Sequence, residues 1–97
     1  MAGKLTFLTT LEAIIDERIS SQSSDSYVSR LLSSGLDRVL KKVGEEAGEV
    51  IIAAKNNDQT ELLNESADLL FHLMLVLKKM GYSLEDVIEV LAARHNG

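Results

Sequence analysis

The feature that most constrains this chain is the stretch ELLNESADLLFHLMLVLKKM, residues 61–80. Asp58 and Glu61 have the spacing of a capping box at its start, and Gly81 is placed to end it. Between Ala67 and Leu77 the predicted helix is apolar on nearly every side. A helix with that pattern is buried in a bundle or in an oligomer, so the other elements of the chain must pack around it.

Capping and turn signals divide the remainder of the chain into further helices. The absence of proline and of any alternating strand pattern supports the same interpretation. The first predicted helix runs from a capping box at Thr9 and Glu12 to about Ser20, and a short helix, SYVSRLLSS, follows, capped by Asp25 or Ser26 and ended or bent at Gly35. A long helix is predicted from Leu36 to about Asn56, where the Asn56-Asn57 pair terminates it. The last predicted helix is opened by Ser83 and Asp86.

These elements predict one all-α domain over residues 1–97, with two long antiparallel helices and about three shorter ones. An apolar fraction of 45% is ample for a core in a chain of 97 residues. The long helix before the turn carries an apolar stripe at helical spacing, and the last helix has a shorter one. The residues expected to be buried are Leu36, Val39, Leu40, Val43, Ala47, Val50, Ile51 and Ala54 in the former, and Val87, Ile88, Leu91 and Ala92 in the latter.

Charge and composition exclude several classes of function. A net charge of −5 argues against nucleic-acid binding, which depends on Lys and Arg neutralising phosphates. With no cysteine, a disulfide framework or a thiolate metal site is impossible. The N-terminus does not read as a signal peptide, and the apolar run from Leu69 to Leu77 is too short to span a membrane. We therefore expect a cytoplasmic protein without membrane or nucleic-acid partners.

The first long helix contains the stretch VGEEAGEV, residues 43–50, with three glutamates. Glu46 and Glu49 are three residues apart and Glu45 and Glu49 four, so their side chains can converge on one small object. At about 100° per residue they share an arc with Lys42 beside the apolar stripe, and Glu46 lies nearest to that stripe. This position is closer to the core than a purely solvated face would be.

The second long helix has its polar residues in a single line: Glu61, Glu65, Asp68 and His72. Carboxylates on a largely buried helix are unfavourable unless they are paired or bind a metal. Ion pairs with Lys41, Lys42 or Arg38 are the ordinary explanation. A lone histidine on such a helix is more often a packed, hydrogen-bonded residue than a metal ligand.

Together the helices offer E-E-x-x-E and, after a short turn, E-x-x-D. If the acids are not simply ion-paired, four oxygen ligands, Glu46, Glu49, Glu65 and Asp68, can meet between these antiparallel neighbours. Ligation by carboxylates alone suits a hard ion, Mg²⁺ or Mn²⁺, whose remaining ligands are typically water and phosphate.

These motifs resemble the signature of the all-α, MazG-like nucleoside triphosphate pyrophosphohydrolases. Three longer segments are closer to one group among them, the phosphoribosyl-ATP pyrophosphohydrolase family of histidine biosynthesis: SYVSRLLSSGLDRVLKKVGEEAGEVIIAAKN, ESADLLFHLMLVL and GYSLEDVIEVLAARH. The resemblance extends from about Ser26 to His95, with a weaker N-terminal helix.

The resemblance implies a homodimeric, Mg²⁺-dependent enzyme that converts phosphoribosyl-ATP to phosphoribosyl-AMP and pyrophosphate. It implies Glu46, Glu49, Glu65 and Asp68 as metal ligands, and Glu45 as a further ligand or as the group that positions or deprotonates the attacking water. Lys42 is implied to face the substrate phosphates. The weaker candidates for phosphate and ribose contacts are Ser26, Tyr27, Arg30 and Lys41.

Two departures and two alternatives accompany this interpretation. The segment QSSDSY lacks the proline that family members often have ahead of this point, and no cyclohydrolase domain is fused to the chain, so we expect another protein to perform the next step. One alternative is a MazG-like housecleaning pyrophosphatase of noncanonical nucleoside triphosphates. The other is a non-catalytic helical interaction module, in which the acids are solvated charge.

Overall fold

Two long antiparallel helices, α3 and α4, form the centre of the fold in the computed structural model, which describes residues 3–21 and 26–96. The described part of the chain is helical, without strands, as predicted. A single 3-10 turn, Lys4–Thr6, precedes five α-helices: α1 Phe7–Ser21, α2 Tyr27–Ser33, α3 Leu36–Lys55, α4 Gln59–Lys79 and α5 Leu84–His95.

The turn between α3 and α4 is built from three residues. Asn57 adopts a left-handed conformation with φ of 55°, as the Asn56-Asn57 pair predicted. The Asn57 N–H donates to Ala54 O at 3.1 Å and the Asp58 N–H to Ala53 O at 3.0 Å, the two bonds of a Schellman motif. Asp58 then caps α4, accepting from the Glu61 N–H at 3.1 Å. Asp58 thus takes part both in the end of α3, through its N–H, and in the start of α4, through its side chain. The two helices are therefore direct neighbours.

Most of the other predicted boundaries are confirmed. Ser26 caps α2, and Ser83 with Asp86 forms a complete capping box on α5. Gly81 has φ of 88° and ends α4 in a second Schellman motif, where the Tyr82 N–H donates to Leu77 O at 2.7 Å. The alternative cap, Asp25, lies outside the described residues.

The predicted capping box at Thr9 and Glu12 is wrong. α1 begins at Phe7, and Thr9 lies inside it, because the preceding 3-10 turn already starts the helical path with Thr6 bonded to Gly3 O. The Glu12 carboxylate has a tertiary partner instead: its Oε2 accepts the Leu84 N–H at 2.7 Å and lies 3.7 Å from Lys78 Nζ. Glu12 therefore holds the start of α5 against α1.

The core lies where α1, α2, α3 and α4 meet. Its most deeply buried side chains are Ile15, Val39, Met74 and Leu75, joined by Val28, Leu31 and Leu32. Much of the predicted apolar surface is not covered within one chain. On α3 only Val39 of the predicted stripe is buried, whereas Leu40 is 44% and Ile51 64% exposed.

The predicted buried face of α5 is likewise wrong for the single chain, because no residue of α5 is buried: Ile88 is 50% and Leu91 45% exposed. α4 is buried at His72, Met74 and Leu75, while Leu70 and Leu73 remain more than a third exposed. No helix in the described part of the chain is both long enough and apolar enough to span a membrane.

Candidate metal-binding and active site

Glu46 lies on the face of α3 that packs against α4. The buried residues of α3 are Val39 and Ala53, and Glu46 lies midway between them, two helical turns from each. Its side chain is only 13% exposed. Glu46 is therefore part of the packed face of α3. Leu40 and Ile51, at the far edge of the apolar stripe, are exposed to solvent. The sequence pattern had put Glu46 only beside the stripe.

On α4 the predicted polar line runs from solvent into the core. Glu61 and Asp68 are exposed, Glu65 is half-buried and His72 is buried, with 6% of its surface exposed. Partial burial raises the pKa of Glu65, and the negative charges of Asp68, Glu49, Glu61 and Glu46 raise it further. The other three predicted ligands, on both helices, thus lie within electrostatic range of Glu65.

His72 joins the two helices through its ring nitrogens. Nδ1 lies 2.6 Å from Glu46 Oε1 and 2.8 Å from the backbone oxygen of Asp68. Nε2 lies 2.7 Å from the Tyr27 hydroxyl. The Nδ1–H is directed at the Asp68 oxygen, so Glu46 Oε1 receives no hydrogen bond from the residues that the structure describes, although it is fully buried. A buried carboxylate oxygen without a donor is an unfavourable arrangement that needs a nearby positive charge or proton.

The residues present suit a hard divalent cation in their chemistry. Every candidate ligand is a carboxylate, the mutual repulsion that raises the pKa of Glu65 is what a cation relieves, and Glu46 carries an unsatisfied buried oxygen. Within residues 3–21 and 26–96, however, no three Asp, Glu or His side chains converge closely enough to hold one ion. The ligand set Glu46, Glu49, Glu65 and Asp68 therefore stays a prediction.

The other predicted site residues are distributed over α2 and α3. Glu45 and Lys41 are exposed, and Lys42 is half-buried one turn before Glu46. On α2, Arg30 is exposed and Tyr27 is 42% exposed. Ser26 is buried, and its hydroxyl oxygen accepts the Ser29 N–H at 3.3 Å.

Two features of the site were missed from the sequence. Glu61 was noted in the polar line but not as a member of the acidic cluster, although its charge acts on Glu65. The offset of four residues between Glu61 and Glu65 was the available signal. The link between Tyr27 and His72 had no sequence signal, because the two residues are 45 positions apart.

Comparison with known proteins decides among the families that this site allows. A model of the family described as phosphoribosyl-ATP pyrophosphohydrolase matches residues 8–95. The chain belongs to the phosphoribosyl-ATP pyrophosphohydrolase family. The match extends from α1 to the end of α5 and so includes both helices of the candidate site.

Curated members of the phosphoribosyl-ATP pyrophosphohydrolase family are similar over most of this chain. A phosphoribosyl-ATP pyrophosphatase from Leptospira biflexa is 46% identical over 95% of this chain and 100% of its own length. One from Streptococcus gordonii is 52% identical over 90% of this chain and 84% of its own. A histidine biosynthesis bifunctional protein HisIE from Thermus thermophilus is 54% identical over 86% of this chain. The chain spans only 39% to 46% of the length of the bifunctional relatives.

Proposed function

We propose that this protein hydrolyses the α–β phosphoanhydride of phosphoribosyl-ATP, giving phosphoribosyl-AMP and pyrophosphate in histidine biosynthesis. The observation that carries the proposal is the pair of motifs E-E-x-x-E and E-x-x-D on the neighbouring helices α3 and α4, where the charges of Glu46, Glu49 and Asp68 act on Glu65, in a chain of this family. The relatives that match over 84% to 100% of their own length are named phosphoribosyl-ATP pyrophosphatase, which supports phosphoribosyl-ATP as the substrate. Such a role in amino-acid synthesis would place the protein in the cytoplasm.

The proposed cofactor is Mg²⁺, or Mn²⁺ in its place, held by Glu46, Glu49, Glu65 and Asp68. Bound there, the ion would neutralise phosphate charge and lower the pKa of a coordinated water. The chain's own residues do the positioning on which phosphoanhydride hydrolysis largely depends. Lys42, one turn before Glu46, is assigned to the substrate phosphates. The exposed Glu45 is assigned as a further ligand or as the group that orients or deprotonates the attacking water.

We also propose that the protein is a homodimer. The support is the apolar surface that one chain leaves uncovered on both long helices near their turn: Ile51 is 64%, Ile52 55% and Leu63 61% exposed. Exposed apolar side chains of this size on two neighbouring helices favour an interaction surface, which we call the apolar patch. A second copy would cover this patch beside the acidic cluster.

The test of the reaction is pyrophosphate release from phosphoribosyl-ATP, with ATP and dUTP as competing substrates, in the presence and absence of Mg²⁺. We expect Mg²⁺-dependent turnover that is much faster on phosphoribosyl-ATP. Equal rates on the ordinary nucleotides would move the assignment to a housecleaning pyrophosphatase. A protein without turnover on any of them would instead be a non-catalytic helical module.

The ligand assignment is tested with Glu49→Gln and Asp68→Asn, which keep the shape of each side chain and remove its charge. Both are expected to abolish turnover while the far-UV circular dichroism stays helical, because both residues are exposed and contribute little to packing. Glu89→Gln, an exposed glutamate on α5, is the matched control and should retain full activity. Activity that survives at either ligand position would refute the assignment of that residue.

A further inference from the structure

His72 is the one buried polar residue of α4, and both of its ring nitrogens have hydrogen-bond partners. Its Nδ1 has two acceptors, the Asp68 backbone oxygen at 2.8 Å and Glu46 Oε1 at 2.6 Å. Because the backbone oxygen of Asp68 can only accept a hydrogen bond, Nδ1 carries a proton. In the neutral ring the only lone pair is then on Nε2, where it accepts the Tyr27 hydroxyl at 2.7 Å. His72 therefore has no lone pair left for a metal ion.

The ring is also held mechanically. Phe71 and Tyr27 both meet it edge to face, with ring centroids 5.3 Å and 5.7 Å from that of His72. The two outer rings are stacked on each other with centroids 6.4 Å apart. Rotation of the imidazole would break contacts on both nitrogens and on both aromatic neighbours. His72 is therefore a rigid support between α2, α3 and α4.

This support acts on one oxygen of Glu46. Oε1 is buried and lies 2.6 Å from His72 Nδ1, so this contact restricts the rotamers that the Glu46 side chain can adopt. In metal sites, neighbouring residues commonly orient the ligating carboxylates. Restricting the Glu46 side chain in the metal-free protein lowers the conformational entropy that is lost when its carboxylate binds an ion.

We propose that His72 is a positioning residue that orients the Glu46 carboxylate for the divalent cation, and that Tyr27 acts through His72 rather than on the substrate. This proposal rests on the proposed function, because it takes from it that Glu46 binds a divalent cation. Through Tyr27 it also connects α2 to the acidic cluster.

The first test compares two amides at position 72. In His72→Asn the amide nitrogen occupies the place of Nδ1 and keeps an N–H group beside Glu46, whereas in His72→Gln it occupies the place of Nε2 and faces Tyr27. The measurement is Mn²⁺ affinity by calorimetry or electron paramagnetic resonance. We expect His72→Gln to weaken Mn²⁺ binding about 10- to 100-fold, the effect typical of losing a residue that supports a ligand. His72→Asn should retain most of the affinity, and the exposed His95→Asn all of it.

The second test separates the two roles of Tyr27. Tyr27→Phe removes only the hydroxyl on Nε2, and should weaken Mn²⁺ binding and lower kcat while the KM for phosphoribosyl-ATP changes less than about twofold. A direct contact with substrate would instead raise KM and leave Mn²⁺ affinity unchanged, which would overturn this part of the proposal. Tyr82→Phe, at a tyrosine that is 59% exposed, is the matched control.

The third test needs no variant, and so it can refute the proposal even where a substitution at this buried position prevents folding. Nitrogen chemical shifts of the metal-free protein report which ring nitrogen of His72 is protonated. The proposal requires a proton on Nδ1, and a neutral ring protonated on Nε2 would overturn it. Unchanged Mn²⁺ affinity in His72→Gln would overturn it as well.

These outcomes are distinct from failure of the proposed function. A wild-type protein that binds Mn²⁺ but does not hydrolyse phosphoribosyl-ATP would refute the reaction, while the affinity comparison at position 72 would still test positioning. Normal turnover in the wild type and in His72→Gln would refute positioning alone.

Discussion

Two leucines on α4 test how this chain divides its apolar residues between core and surface. Leu75 is completely buried among residues of α1, α2 and α3, whereas Leu63 is 61% exposed. We expect Leu75→Ala to lower the free energy of unfolding by about 2–5 kcal/mol, since it removes buried methyl groups and leaves a cavity. Leu63→Ala should cost about 1 kcal/mol or less, because most of that side chain is already in water. Both changes are Leu to Ala within one helix, so helix propensity contributes equally.

The assay is urea unfolding followed by circular dichroism, with the slope of free energy against denaturant checked for each variant. For a domain of this size 1 kcal/mol corresponds to about 4–8 °C in Tm, so Leu75→Ala should also lower Tm by roughly 10 °C or more. A Leu75→Ala variant within about 1 kcal/mol of wild type, with an unchanged slope, would refute the assignment of Leu75 to the core.

The same pair of variants tests the proposed homodimer when protein concentration is varied. Dimer stability depends on concentration, whereas the stability of an isolated chain does not. If a second copy covers Leu63, the cost of Leu63→Ala should rise toward that of Leu75→Ala as the protein is concentrated. Equal and small effects at all concentrations would contradict an interface at this patch.

Three further predictions concern single residues. The raised pKa of Glu65 means that the folded state holds the proton of this carboxyl group more tightly than the unfolded state does. The protonated carboxyl group therefore stabilises the fold below the usual pKa of 4.5, and this contribution is lost as the pH rises through the pKa of the folded state. Glu65→Gln should therefore raise the Tm of the metal-free protein at neutral pH and abolish Mn²⁺-induced stabilisation; a lower Tm would contradict the repulsion. Asn57→Ala should destabilise by about 1 kcal/mol and Asn57→Gly should not, since glycine adopts the left-handed conformation without strain; equal unfolding midpoints would refute this reason. Glu12→Ala should speed hydrogen exchange of the Leu84 amide, whose acceptor it removes, whereas Glu17→Ala, at a side chain that is 65% exposed, should not.

The positions of the acidic residues of the candidate site were only partly predictable from the sequence. The short turn correctly predicted that the helices carrying E-E-x-x-E and E-x-x-D are antiparallel neighbours, because three residues leave α3 and α4 no other arrangement. The rotation of α3 was not predictable in the same way. Glu46 lies between Val39 and Ala53 on the packed face, although a stripe of larger apolar side chains lies to one side of it.

The sequence by itself determined the helices, their order and most of their ends. The caps at Ser26, Asp58 and Ser83 and the left-handed terminators at Asn57 and Gly81 are local, because each depends on hydrogen bonds within a few residues. The tertiary structure decided the rest. It diverted Glu12 from a local cap to the Leu84 amide, chose which side of α3 is buried, and brought Tyr27 and Glu46 to opposite nitrogens of His72. Those contacts join residues far apart in the chain, and they form only when whole helix faces pack together, so no local pattern encodes them.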